Sequence, residues 1–360
     1  MKGVRMFFRT SAALAVACAL ATPVAAQAHG GKRFDVEAHR GGLGLVTEST
    51  LQSFANGLEV GVSTLELDVQ ITKDGQAVVT HDRQVPASKC RDTAPVTPGD
   101  PAFPYVGKYI KDLTLAQVAT IACDKPQAGF PQQRVVANAR MPKLSQVFAL
   151  VRCYGARDVR LNVETKVEAG APEQTAPREQ FVQVTAREIR RAGMLEQVMI
   201  QSFDWGSLMR MRQVEPRLPL VALDNGDFLQ IGKPGASPWL GGIDIDDFGG
   251  NVVRGAASFG ASAISPVQGN PQDGKIGDPA FVPYTTPELV RQAHDARMTV
   301  IPWTVDDPAT MAWLIDAGVD GIITDYPDRL RAVLAARHYK LPRAYRAPRG
   351  RDCIAQAAAQ

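Results

Sequence analysis

The sequence predicts an α/β protein: a closed eight-stranded (β/α)8 barrel of the TIM type, with an insertion after the second barrel strand and its hairpin arm. Three observations carry this. Eight β-rich runs recur along the chain, most followed by a helical pattern, which is the signature of a parallel sheet. The length fits: of the 332 residues after position 28, removing 82–142 and the 23 from His338 leaves 248, against about 250 for a typical barrel. An open doubly wound sheet is the alternative, but no Gly-rich dinucleotide turn follows a strand.

The predicted strands span 34–39, 64–71, 159–166, 198–203, 218–223, 261–267, 299–305 and 321–325, with helices at 50–60, 144–154, 178–192, 287–297 and 308–317. Asp74-Gly75 reads as a two-residue hairpin turn, placing Asp68 opposite His81 on an antiparallel arm. Residues 82–142 carry eight prolines and read as an excursion with one short helix near 114–121 and little core of its own. The domain organisation is therefore a leader at 1–28, a barrel domain at 29–337 containing the 82–142 insertion, and a basic tail at 338–360.

Lys2, Arg5 and Arg9 precede an apolar run at 12–21 and small residues ending in Ala26-Gln27-Ala28. This is the pattern of a secretory signal peptide, so we expect export to a periplasmic or extracellular site. No later run is long and apolar enough to span a bilayer, and no stable membrane insertion is expected. The formal charge of +3 is concentrated in that leader and in 337–352, so nucleic acid is not an expected partner. Four cysteines remain after the leader, and they allow three disulfide connectivities. We expect Cys90–Cys123, closing the proline-rich insertion, and by elimination Cys153–Cys353, tying the tail to the barrel wall.

Barrel enzymes carry their chemistry at the C-terminal ends of strands. The first strand ends in His39-Arg40-Gly41. Glu66 and Asp68 lie two apart and share the interior face of the second strand, as Asn162, Glu164 and Lys166 do on the third. Interior carboxylates are costly unless neutralised, which points to one hard divalent cation, Ca2+ or Mg2+. His39 and the arm's His81 supply a general acid and base. Arg40 offers a fork for phosphate oxygens and Lys166 a point charge. These parts describe phosphodiester hydrolysis. The expected position opposite Asp68 favours a protonated His81, hence His81 as the acid and His39 as the base.

The series His39-Arg40-Gly41, Glu48-Ser49-Thr50, Glu66-Leu67-Asp68 and His81-Asp82 resembles the glycerophosphodiester phosphodiesterases. The likeness continues through Glu164-Thr165-Lys166, Gln201-Ser202-Phe203, Trp303-Thr304-Val305 and 321–327. The resemblance implies a barrel that releases sn-glycerol 3-phosphate and an alcohol from a small glycerophosphodiester. It implies Glu66, Asp68 and Glu164 as metal-binding acids, His39 and His81 as the acid–base pair, and Arg40 and Lys166 as phosphate contacts. Glu48 matches a further motif in which Thr47 and Ser49 replace proline and asparagine, which leaves it either on the metal or behind it. Phe203 and Trp303 are candidate walls of the alcohol pocket, with ordinary core packing as the alternative. A related lipid phosphodiesterase of phospholipase C or D type, and a non-catalytic binding protein or adhesin, are the competing functions.

Overall fold

The computed structural model describes residues 33–360 together with positions 1 and 3. The leader expected at 1–28 otherwise lies outside the described residues. The chain runs β1 (Asp35–Ala38), α1 (Leu51–Val60), β2 (Thr64–Ile71), β3 (Ala77–Val79), α2 (Leu115–Val118), α3 (Leu144–Cys153) and β4 (Arg160–Thr165). It continues through α4 (Arg178–Ala192), β5 (Val198–Ser202), α5 (Trp205–Val214), β6 (Leu220–Asp224), α6 (Val252–Ser258), β7 (Ala263–Pro266), β8 (Gly269–Asn270) and β9 (Val282–Pro283). The last elements are α7 (Pro287–Asp295), β10 (Thr299–Val300), α8 (Pro308–Ala317), β11 (Gly321–Thr324), α9 (Pro327–Ala336) and α10 (Cys353–Ala358).

Eight parallel strands, in the order β10-β7-β6-β5-β4-β2-β1-β11, form the barrel. It closes between β10 and β11, where Asp320 N–H donates to Val300 O (2.9 Å) and Ile323 N–H to Pro302 O (3.0 Å). Each predicted strand has its counterpart. Outward residues such as Leu65, Val163, Ile200 and Ile322 pack beneath the helices in the main apolar core. Inward, Met199, Val221, Ala263, Ile301 and Ile323 make a small apolar layer. Local signals set the boundaries: Thr50 and Ser53 form a capping box at the start of α1, and left-handed Gly61 ends it.

The hairpin departs from expectation. Val69 pairs with Val79 and Ile71 with Ala77, so the loop is the three residues Lys73-Asp74-Gly75, with Gly75 left-handed (φ 72°). Asp-Gly serves this longer loop as well as the two-residue turn. The register slips by one: Thr80, not His81, lies opposite Asp68, and its N–H donates to Asp68 O (3.1 Å).

The insertion also buries more than expected. Val85, Tyr105, Ile110, Leu113, Val118 and Ile121 pack with Val78 of β3 into a satellite core. Its helix is shorter than expected, confined to α2. Cys90 is bonded to Cys123 and Cys153 to Cys353. The second bond pins α10 against α3, where Gln146 Nε2–H donates to Ala358 O (2.8 Å). The tail is therefore docked on the barrel wall.

Candidate active site

The site occupies the C-terminal mouth of the barrel, a cavity of about 750 Å3 lined among others by His39, Arg40, Glu66, Asp68, His81, Glu164, Lys166, Phe203 and Trp303. Every sequence-identified site residue except Glu48 lines it.

The turn after β1 positions two of them. Arg40 adopts a left-handed backbone (φ 50°) and Gly41 follows at φ 84°. A Cβ on Gly41 would lie 2.8 Å from the Ser53 carbonyl carbon, so only glycine allows α1 this close. The turn aims the Arg40 N–H at Glu66 Oε2 (2.9 Å). The His39 ring meets Asp325 at the end of β11, Nδ1 to Oδ1 2.5 Å. Asp325 in turn donates its N–H to Asp306 Oδ1 (2.9 Å). Burial and the neighbouring Asp325 push the Asp306 carboxyl up to about 7.

Period-two alternation along β2 and β4 brings Glu66, Asp68 and Glu164 together inside the barrel. All three are buried, and each contributes an oxygen within 4.8 Å of the others. Glu66 is oriented from below: Gln201 Nε2–H donates to its Oε1 (2.7 Å), and Asn162 Nδ2–H donates to Gln201 Oε1 (3.0 Å). Burial, with Asp68 beside it, pushes Glu66 well above the ordinary carboxylate range. Burial likewise raises Glu164 to about 7, although Lys166 Nζ lies 3.0 Å away. Burial also opposes ionisation of Asp68, but the His81 ring, Lys166 and Arg40 hold it below its ordinary value. Asp68 Oδ2 makes no hydrogen bond within the protein and faces Arg40 Nε at 3.4 Å. Three converging buried carboxylates, two of them held toward the acid form, are a donor set suited to one hard divalent cation.

Glu48 stands apart from this cluster. Its Oε2 accepts from Arg40 Nη1 (2.8 Å), and its Oε1 meets Lys89 Nζ (3.0 Å) and Gln127 Nε2 (3.1 Å). Although burial disfavours its charge, Arg40 and Lys89 bring it down to about 2. Glu48 is not among the three converging carboxylates and meets Arg40 and Lys89 instead. His81, just past β3, approaches Asp82 through Nδ1 (3.4 Å). Burial together with Lys166 and Arg40 lowers the ring to about 4, so it is neutral in the free protein near pH 7. The expected register is absent, and although Asp68 and the Asp82 contact favour the imidazolium, burial, Lys166 and Arg40 outweigh them before an anion enters.

Phe203 meets Trp303 edge-on, ring centroids 5.3 Å apart, and also Phe228 at 5.4 Å; Phe228 stacks on Trp239 at 4.0 Å. Together they form one aromatic side of the cavity. Sequence periodicity marks none of Phe228, Trp239 and Lys89: the first two sit in short 3-10 turns and Lys89 in a turn of the insertion. Asp325 lies within the family-like stretch 321–327, but its contact with His39 comes from the fold.

A family model for the glycerophosphoryl diester phosphodiesterase family matches residues 39–329. A glycerophosphodiester phosphodiesterase of Caldanaerobacter subterraneus subsp. tengcongensis is 30% identical over 295 residues, covering 82% of this chain and 95% of that protein. A solved structure from Silicibacter pomeroyi DSS-3 aligns at TM-score 0.69 and 27% identity, over 86% of this chain and 96% of that one. An Oleispira antarctica phosphodiesterase, solved with the product sn-glycerol-3-phosphate, shares the fold at TM-score 0.58 and 17% identity, over 84% and 96%. The chain is an enzyme of the glycerophosphoryl diester phosphodiesterase family.

Proposed function

We propose that this enzyme hydrolyses small glycerophosphodiesters to sn-glycerol 3-phosphate and an alcohol, with His39 and His81 transferring the protons. Glu66, Asp68 and Glu164 would hold one divalent cation, Ca2+ or Mg2+. When bound, the cation neutralises these acids and draws charge from the phosphoryl oxygens. Arg40 and Lys166 bind the remaining phosphate charge. His39, held at Nδ1 by Asp325, uses its Nε2 to take the proton from the attacking oxygen: either water, giving glycerol 3-phosphate directly, or the substrate's own glycerol hydroxyl, giving a cyclic glycerophosphate that water then opens to glycerol 3-phosphate. His81 gives a proton to the departing alkoxide. The negative phosphodiester offsets Lys166 and Arg40, the cations that lower His81 in the free protein, so substrate itself favours the protonated ring. Phe203 and Trp303 line the side on which the organic groups rest.

The observation that carries this reading is the convergence of two histidines and three buried acids in one cavity. Export is part of the proposal: two disulfides suit an oxidising compartment, and no helix among the described residues is long and apolar enough to cross a membrane. The test is incubation with glycerophosphocholine in Mg2+, in Ca2+ and in excess chelator, assaying glycerol 3-phosphate and choline. Equal amounts of both, formed only with metal, support the reading. Turnover of lysophospholipid alone would move it to a lipid phosphodiesterase. Binding without turnover would make it a receptor.

A further inference from the structure

The insertion sends Lys89, beside Gln127, into the site's supporting structure, and no step proposed above uses it. Lys89 Nζ lies 2.7 Å from Asp82 Oδ2 and 3.0 Å from Glu48 Oε1. Those two acids serve different halves of the chemistry. Glu48 receives Arg40 Nη1 at 2.8 Å, on the phosphate-binding side. Asp82 Oδ1 faces His81 Nδ1 at 3.4 Å, on the proton-transfer side.

Resting on the proposed phosphodiester hydrolysis, we propose that Lys89 is a positioning residue that fixes Arg40 and His81 relative to each other through Glu48 and Asp82. Its own backbone is held on both sides. Lys125 N–H donates to Lys89 O (3.1 Å), Lys89 N–H to Pro86 O (3.2 Å), and Arg91 N–H to Ala122 O (2.7 Å). The adjacent Cys90 is buried and bonded to Cys123. The disulfide-closed insertion thus acts as a rigid mount for one ammonium group. Its two acids keep that group charged: burial opposes the charge, but Glu48 and Asp82 raise Lys89 above its ordinary value. A side chain merely balancing buried Glu48 would not need a second acid attached to a histidine.

The experiment compares Lys89→Met, Lys89→Arg and Asp82→Asn with the wild-type enzyme. Substrates are glycerophosphocholine and a nitrophenyl glycerophosphodiester. A displaced reacting group costs up to about 100-fold, so we expect Lys89→Met to lower kcat on glycerophosphocholine by about 10–100-fold. The aryl ester, whose leaving group needs no proton, should lose less. Lys89→Arg should recover most of the loss. Asp82→Asn, which leaves Lys89 on Glu48, should reproduce the substrate-dependent part of the defect and keeps the test open should Lys89→Met fail to fold. The His81 ring signal in NMR reads the link without turnover, and should shift or broaden in Lys89→Met. An inactive wild type with the NMR change present would count against the hydrolytic reading and support the link. A lowered melting temperature with kcat on both substrates and the His81 signal unchanged would overturn it, as would equal loss on both substrates without rescue by arginine.

Discussion

His39 and Asp325 stand 286 positions apart in sequence and meet at 2.5 Å, Nδ1 to Oδ1. They extend from β1 and β11, the strands at the two ends of the barrel's sequence order, which pair in parallel from Asp35↔Gly321 to Ala38↔Thr324. Pairing of the first barrel strand with the last thus brings His39 and Asp325 together. In the proposed mechanism the carboxylate fixes which ring nitrogen is left for chemistry and stabilises the charge the ring would gain as a base.

Asp325→Asn keeps the shape of this contact and removes its charge. We expect kcat on glycerophosphocholine to fall about 10²–10⁴-fold, the range for impaired general acid–base catalysis, with KM changing little. Steady-state kinetics check this. A variant within twofold of wild type would release Asp325 from the role.

Removing metal should lower stability along with activity. Glu66, Asp68 and Glu164 are buried within 4.8 Å of one another, and an ion bound only to the native state adds about 2.7 kcal/mol at 100 times its Kd. Calorimetry with and without chelator should show a lower melting temperature, restored by Ca2+ or Mg2+. Glu66→Gln should leave a melting temperature that responds far less to either ion. A wild-type transition indifferent to chelator would contradict the cation site.

A separate pH effect arises at the end of β6. Burial pushes Asp224 up to about 6, even though its carboxylate accepts from Gly226 N–H (2.8 Å) and the Tyr284 hydroxyl. A folded-state value above the unfolded value of about 3.9 favours folding most below that pH and costs stability as pH rises through 6, by about 2–3 kcal/mol in all. Asp224→Asn can keep both contacts without ionising. Its melting temperature relative to wild type should therefore climb from pH 4 to pH 7; a constant difference would contradict this.

The bond between Cys153 and Cys353 spans 200 residues and anchors α10. Loss of a native disulfide costs about 2–5 kcal/mol, so Cys353→Ser should lower the denaturation midpoint. Because α10 lies on the barrel wall beside α3, kcat should be retained. Loss of kcat in a fully folded variant would show coupling between tail and site.

The barrel was legible because each inward–outward alternation repeats a period that only a strand satisfies. The convergence of the acids was legible because Glu66, Asp68 and Glu164 sit on such strands, where spacing alone decides the face, and Lys166 follows directly after β4. The hairpin register was not, since Asp74-Gly75 fits loops of two and of three residues, and the choice moves His81 off Asp68. Nor was the insertion's satellite core: Tyr105, Ile110 and Val118 are separated by irregular turns and find their partners only in three dimensions. Lys89 shows the same limit, since Glu48 comes from a different loop and reaches it only in the folded chain.

The most direct test of the two-histidine account compares His39→Ala and His81→Ala on glycerophosphocholine and on an aryl phosphodiester that keeps the glycerol hydroxyl. Both variants should lose about 10²–10⁴-fold on glycerophosphocholine. His81→Ala should be largely rescued by the aryl ester, whose nitrophenolate departs without a proton, and His39→Ala should not. Rescue of His39→Ala alone would exchange the two roles. Equal losses for both variants on both substrates would contradict separate acid and base functions, and full turnover of glycerophosphocholine by either would remove that histidine from the chemistry.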